Sequence, residues 1–469
     1  MIKKKLVIAL SILFSLSLLG CDSKVDKEGG LSKLKLSDNI PKEKLMDESI
    51  IDDSSKWGTL NTHDPSIFKD GDTYYVFSTD ARIGGSVAPG IEVRKSKDMI
   101  NWQYVGQALK GVPAEAEEWT GAQGLWAPDV TKIGEYYYLY YAASSFGKNT
   151  SYIGLERSKS IEGPWEDMGC VVKTEEGDNM NAIDPNIVFD DEGSLWLSYG
   201  SFWTGIYILK LDKNTGKPED KEDKGKNIAS RSSSVSGAVE GPYIIYNDKQ
   251  KKYYLFESYD SLAKDYNVRV GRADKIDGPY VDIEGNDLTD TTIDPNKVGN
   301  KILGGYKFAD TVGWMAPGHN SVLKDGEDYY IFHHARVENE VNWFYLNVRK
   351  IVWSEDGWPM VSTERYAGEK EEKIDKALVP GKWDVIILKK DDNGIISSKE
   401  YDLKKNGRVN GGTWELSGDN SLTIKLSDKK EDTYKCKILP AWDYENNRRT
   451  IVFTGINKNG LAIWGKMKK

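Results

Sequence analysis

The sequence predicts an all-β chain: a five-bladed β-propeller followed by a small β-barrel or β-sandwich. The first observation behind this is a unit that recurs five times, consisting of a polar residue, a short apolar strand, a turn and an aromatic-rich second strand. Its copies are HDPSIFKDGDTYYVFST from His63, APDVTKIGEYYYLYYAAS from Ala127, DPNIVFDDEGSLWLSYGS from Asp184, EGPYIIYNDKQKKYYLFES from Glu240 and GHNSVLKDGEDYYIFHHA from Gly318. Aligned on the strand start, the polar residue is Asp64, Asp129, Asp184, Glu240 and His319, at spacings of 65, 55, 56 and 79 residues. Repeats of this length, each a small antiparallel sheet, are the signature of a propeller. The second observation is that short alternating strands bounded by Gly, Asp and Asn turns (KDGDT, DDEGS, NDKQKK, KDGED) fill this stretch, without sustained helical periodicity. The third is a change of pattern after the charged run GEKEEKIDK at 368–376, where six or more strands follow with tight turns.

Taken in order, residues 1–20 read as a signal peptide. Lys3, Lys4 and Lys5 precede an apolar run over 6–19, which is too short to span a bilayer but has the length of a signal core. Leu18-Leu19-Gly20-Cys21 resembles a bacterial lipoprotein processing site, with Cys21 the lipidated residue and the lipid anchor the only membrane contact. Residues 21–50 are charged and free of aromatics, which predicts a flexible tether. The propeller is expected over 51–370 and the second β-domain over 377–469. Cys170 and Cys436 fall in different domains without metal-ligand spacing and read as buried thiols.

A net charge of −9 argues against nucleic acid and against an electrostatic grip on anionic polymers. With 15 Trp and 26 Tyr, an exported, mildly acidic β-chain points to neutral carbohydrate, because sugar faces stack on aromatic rings. Most individual rings are nonetheless expected in the core.

In a propeller the first strand of each blade lines the central channel, so the five polar residues are expected to converge on one axis. Two carboxyl groups flanking a glycosidic bond suffice to hydrolyse it: one donates a proton to the leaving oxygen, and the other activates water or attacks the sugar. A third acid nearby raises the donor's pKa by like-charge repulsion.

The set His63-Asp64-Pro65-Ser66, Trp126-Ala127-Pro128-Asp129, Ala182-Ile183-Asp184-Pro185, Val239-Glu240-Gly241-Pro242-Tyr243 and Gly318-His319-Asn320-Ser321 resembles glycoside hydrolase family 43. Within it, the likeness is to bacterial endo-α-1,5-L-arabinanases with a C-terminal β-domain, and Tyr199-Gly200-Ser201-Phe202-Trp203 is similar to that group too. The resemblance implies hydrolysis of internal links of arabinan by single-displacement inversion. Asp64 would be the base, Glu240 the acid, and Asp184 the residue tuning and holding the acid. The two reacting carboxyls are then expected roughly 6.5 to 9.5 Å apart. The resemblance also implies a calcium ion held by His319 and waters, which ligand preference alone does not suggest.

Trp126, Phe146, Asn181 and Trp203 are candidate sugar contacts, with Arg336 a weaker one, and Asp129 is expected to orient substrate. His333 and His334 point to opposite faces of one strand, and neither is assigned. The chain is expected to act as a monomer. The alternatives are an exo-acting arabinofuranosidase or β-xylosidase of the same family, and a non-catalytic glycan-binding lipoprotein. A propeller scaffold for protein partners would need no acid cluster.

Overall fold

The computed structural model describes residues 27–85, 88–309, 311–427 and 432–468, so the predicted signal segment and Cys21 lie outside the described residues. The apolar and aromatic alternation of the repeats folds as five antiparallel sheets. Their innermost strands are Ser66–Asp70, Trp126–Ile133, Asn186–Phe189, Val239–Asn247 and Trp314–Asp325. Each pairs with the aromatic-rich strand that follows it; in blade one, for example, Ile67 sits opposite Val76. The ring is closed through blade five, where Asn61 N–H donates to Phe344 O and Leu346 N–H donates to Thr59 O.

The second domain is a closed eight-stranded barrel running from Gly381–Leu388 to Ala462–Met467. Its interior is filled by Trp383, Trp414, Ile438, Phe453 and Ile463, all buried. A Cβ placed on Gly465 would lie 2.2 Å from the Phe453 ring, so that wall has no room for a ligand. Trp383, Trp414 and Trp464 are all buried, so none of them offers a ring to sugar.

The two domains share one hydrophobic cluster. It joins Trp314, Trp358 and Val361 of blade five to Ile386, Leu439, Val452 and Trp464 of the barrel. Each such side chain contributes about 1.5–3 kcal/mol by leaving water. The barrel also adds Ile396–Ser397 to the edge of the blade-five sheet, parallel to Tyr306–Lys307. Near this seam Lys466 Nζ lies 2.8 Å from Glu364, 3.1 Å from Asp443 and 2.8 Å from Glu445. Those three acids bring their oxygens close enough for a cation, and the Lys466 ammonium fills that place.

Residues 27–50 differ from the flexible tether expected of them. Lys27–Leu31 forms a short helix and Leu34 is buried in the barrel core. The Ser37 N–H donates to Ala367 O, the Met46 N–H donates to the Tyr345 hydroxyl, and Glu43 pairs with Arg365. Composition concealed this because the segment is held by backbone bonds, one ion pair and a few scattered apolar residues (Leu31, Leu34, Leu45, Met46 and Ile50) that follow no regular period. Cys170 and Cys436 are both free thiols.

Candidate active site

The innermost strands share a backbone device. Asp64, Ala127, Asp184, Gly241 and His319 have φ of 49, 38, 58, 59 and 45°. In the first four the next residue is proline: Pro65, Pro128, Pro185 and Pro242. Left-handed conformation costs an L-residue about 1–3 kcal/mol unless its surroundings hold it, and it gathers at functional sites. The equivalent positions are therefore set by the residue before proline, not by the acid itself.

This corrects the alignment of the repeats. Asp129 stands two residues beyond Ala127, level with Ser66, Asn186, Tyr243 and Ser321. That level is a ring of ties between blades: Ile67 N–H donates to Ser321 Oγ (3.2 Å), Ile187 N–H to Asp129 Oδ2 (2.6 Å) and Ile244 N–H to Asn186 Oδ1 (2.9 Å). Asp129 also accepts from Ser66 Oγ at 2.6 Å and from Asn186 Nδ2 at 3.1 Å, and burial pushes its carboxyl up to about 6. Both of its oxygens are engaged in holding three blades together, so it does not take the substrate-orienting part expected of it. Glu240, in turn, falls one residue before the left-handed position, where a bulge opens the pairing between Glu240 and Tyr243.

Asp64 is buried at the end of the channel and surrounded by donors. Thr79 Oγ1 donates to Oδ2 at 2.6 Å, His63 Nδ1 lies 2.8 Å from Oδ2, and His319 Nδ1 lies 3.1 Å from Oδ1. Burial alone would raise this carboxyl, but His319 and His63 outweigh it and hold it well below the usual range.

Arg336 Nη2 lies 2.7 Å from His63 Nε2. A guanidinium only donates, so His63 Nε2 accepts and its proton sits on Nδ1, facing Asp64. Arg336 is buried and also donates to Leu262 O and Val341 O, so it braces His63 rather than offering itself to sugar. His334 stacks on His63 with ring centroids 4.0 Å apart and accepts the Asp64 N–H at 3.3 Å. Burial, with His63 beside it, keeps His334 neutral. His333 points the other way and is also buried and neutral, pushed to about 3.

Asp184 Oδ2 accepts the N–H of Gly241, the residue after Glu240, at 3.0 Å. Burial first, then the Glu240 and Asp64 carboxyls, raise Asp184 well above the usual range. Glu240 is oriented by Ser201 Oγ on Oε2 and Tyr266 Oη on Oε1, both at 2.7 Å. Sequence reasoning missed Tyr266, which precedes the third strand of blade four without a motif around it. Its one trace is Gly318, where a Cβ would lie 2.2 Å from the Tyr266 ring.

Of the remaining candidates, Phe146 is 85 % exposed and Trp203 40 % exposed, unusual for rings this large. Phe202 and Trp203 are consecutive left-handed residues (φ 51 and 39°), held by a bond from Phe202 N–H to Val239 O. Trp126 is half-buried at the start of its strand. Asn181 is buried, with Oδ1 accepting from Ser151 Oγ at 2.6 Å.

For a metal, His63, Asp64 and His334 bring donor atoms within 4.8 Å of one another. Their nitrogens, however, are engaged: His63 Nε2 by Arg336, His63 Nδ1 against Asp64, and His334 Nδ1 by the Asp64 amide. His319 is different. Its Nδ1 faces Asp64, and among the described residues its Nε2 has no protein partner. A carboxylate behind one ring nitrogen with the other nitrogen free is the arrangement that presents histidine to a metal. The residues thus fit a cation completed by water oxygens.

Comparison with known proteins follows this geometry. The sequence pattern of glycosyl hydrolases family 43 matches residues 58–359, and that of a C-terminal lipocalin-like domain matches 363–465. An extracellular endo-α-(1→5)-L-arabinanase of Thermotoga petrophila is 32 % identical over 457 residues, covering 87 % of this chain and 94 % of the relative. An extracellular exo-α-(1→5)-L-arabinofuranosidase of Cellvibrio japonicus is 34 % identical over 326 residues, covering 64 % of this chain and 86 % of the relative. Among solved structures, an endo-1,5-α-L-arabinanase from Thermotoga petrophila has a TM-score of 0.79 at 31 % identity, covering 88 % of this chain and 99 % of that one. With its acids gathered at one end of a five-bladed channel and both domains matched, the chain belongs to glycosyl hydrolases family 43 and is a glycoside hydrolase.

Proposed function

We propose that the protein is an exported endo-α-1,5-L-arabinanase, held at the cell surface by lipid on Cys21, that inverts configuration in a single displacement. One observation carries the catalytic assignment: two carboxyls of one buried cluster are held by different partners, Asp64 by Thr79, His63 and His319, which keep it well below the usual carboxylate range, and Glu240 by Ser201 and Tyr266. Carboxyls in separate environments within one site can divide the parts of base and acid.

In this reading Asp64 takes a proton from water as the water attacks the anomeric carbon. Glu240, oriented by Ser201 and Tyr266, gives a proton to the departing sugar oxygen. Asp184 holds the Gly241 amide and with it the backbone next to Glu240. Phe146 and Trp203 offer exposed ring faces to successive arabinose units, and Trp126 and Asn181 complete the cleft.

His319 is the residue that would hold a calcium ion, through Nε2, and the ion would supply positive charge beside the carboxyl cluster.

Endo action is supported by the two-domain relatives from Thermotoga petrophila and Bacillus subtilis, each covering 87 % of this chain. The exo alternative rests on the likeness to the Cellvibrio japonicus relative. Linear, debranched arabinan decides between them. An endo enzyme drops the viscosity early and yields a ladder of oligosaccharides, and proton NMR shows the inverted anomer first. Arabinose alone, with viscosity nearly unchanged, would support the exo reading.

A further inference from the structure

Besides its contacts with blade five, the barrel reaches back against blade four. Between its strand Gly381–Leu388 and the segment Ile396–Ser397, residues 389–394 run against blade four. Lys390 O accepts from Arg269 Nη2 at 2.6 Å. Lys301 Nζ donates to Lys389 O (3.2 Å), Asp392 O (2.6 Å) and Asn393 Oδ1 (3.0 Å). These bonds fix the loop so that Asn393 Nδ2 donates to Asp260 Oδ2 at 2.8 Å.

Asp260 continues the path inward. Its Oδ1 accepts from Arg231 Nη1 at 2.6 Å, and the same Nη1 donates to Ala238 O at 2.7 Å. The Asp260 N–H donates to Ala238 O as well, at 3.1 Å. Arg231 is buried, with its guanidinium carbon 4.2 Å from the centre of the Tyr259 ring. Asp260 holds φ of 74°, a conformation that an L-residue keeps only when its surroundings impose it. Ala238 stands two residues ahead of Glu240, where the innermost strand of blade four begins. Just past Glu240 the strand pairing is interrupted by the bulge, so the ladder holds that backbone weakly on its downstream side. The bonds to Ala238 hold it on the upstream side.

We propose that the barrel loop 389–394 positions Glu240 through Asn393, Asp260 and Arg231, making the C-terminal barrel a support of the proton donor. Asn393, Asp260 and Arg231 are positioning residues and touch no substrate. The inference rests on the reading of Glu240 as the acid, and its test separates the two. A misplaced acid harms departure of a poor leaving group far more than departure of a good one, because a good leaving group needs little protonation.

The experiment uses the full-length protein and aryl arabino-oligosaccharides whose phenols range from dinitrophenol to phenol. Asn393→Ala and Asp260→Asn are compared with Lys390→Ala, which removes the side-chain pairs to Asp282 and Glu284 while the loop stays tied to Arg269 and Lys301 through its backbone carbonyls and Asn393. The expected result is a steeper leaving-group dependence in the first two variants. Their kcat/KM falls about tenfold on the phenyl glycoside and less than about twofold on the dinitrophenyl one, within the range that a displaced general acid spans. Lys390→Ala keeps the slope of the parent protein. Should Asn393→Ala not fold, Asn393→Asp preserves the shape and replaces the donor. An unchanged slope, or an equal fall on every substrate, overturns the proposal. Glu240→Ala serves as the reference: a flat response there would remove the acid assignment itself, whatever Asn393 does.

Discussion

Arg336 Nη2 lies 2.7 Å from His63 Nε2, and this contact fixes the proton of His63 on the nitrogen that faces Asp64. Asp64 thereby keeps the protonated nitrogen of His63 2.8 Å from Oδ2, beside the hydroxyl of Thr79. Replacing Arg336 by Met frees His63 to exchange tautomers, so that an acceptor faces the carboxylate part of the time. Arg336→Met is expected to lower kcat on arabinan by about tenfold or more with KM little changed, below the ~10²–10⁴-fold that removing a base costs. Steady-state kinetics at neutral pH check this. A rise in KM alone would instead mean that Arg336 contacts sugar.

Asp184 holds the backbone next to Glu240: its Oδ2 accepts the Gly241 N–H at 3.0 Å. Asp184→Asn keeps the shape and removes the carboxyl, and is expected to lower kcat by about tenfold or more, at most the ~10²–10⁴-fold of a lost acid, with KM little changed. The acid limb of kcat/KM is set by a base held well below the usual range, so activity is expected to persist as pH falls toward about 4, an ordinary carboxyl value. A pH profile from about 4 to 9 displays that limb. Activity that fails just below neutral pH would contradict an ionised Asp64.

Phe146 is 85 % exposed, so losing its ring should leave stability within about 0.5 kcal/mol. Phe146→Ala and Trp203→Ala are expected to raise KM for long arabinan severalfold and to have less effect on short oligosaccharides that do not reach both rings. Comparing KM across chain lengths, with thermal melts alongside, tests the assignment. A loss of stability without a change in KM would mark the rings as packing residues.

For His319, calcium added to chelator-treated protein should raise the melting temperature, since a ligand binding only the folded state stabilises it by about 2.7 kcal/mol at a hundredfold excess over Kd. His319→Ala should abolish that rise. An equal rise in the variant would place the ion elsewhere.

The propeller and the barrel were legible because their signals are local: strand alternation, turn residues and repeat length. The level of each polar residue within its strand was not legible from residue type. Asp129 follows its proline whereas Asp64 and Asp184 precede theirs, and aligning on acids placed Asp129 two residues too high. The prolines themselves, 63, 57 and 57 residues apart, would have set the register. Tyr266 and Ser201 act on Glu240 from loops that carry no periodicity, and His63 and Arg336 gain their roles only from a contact made across the ring closure. The docking of residues 27–50 rests on backbone bonds, the Glu43–Arg365 pair and scattered apolar residues without a period, so composition alone read the segment as a tether.

The central claim is that Asp64 and Glu240 do the chemistry, and it is tested most directly by initial rates on linear arabinan for the parent, Asp64→Ala and Glu240→Ala, each checked for an unchanged melting profile. Loss of about 10²–10⁴-fold in kcat in both variants is predicted. Either variant releasing oligosaccharides at the parent rate would contradict it.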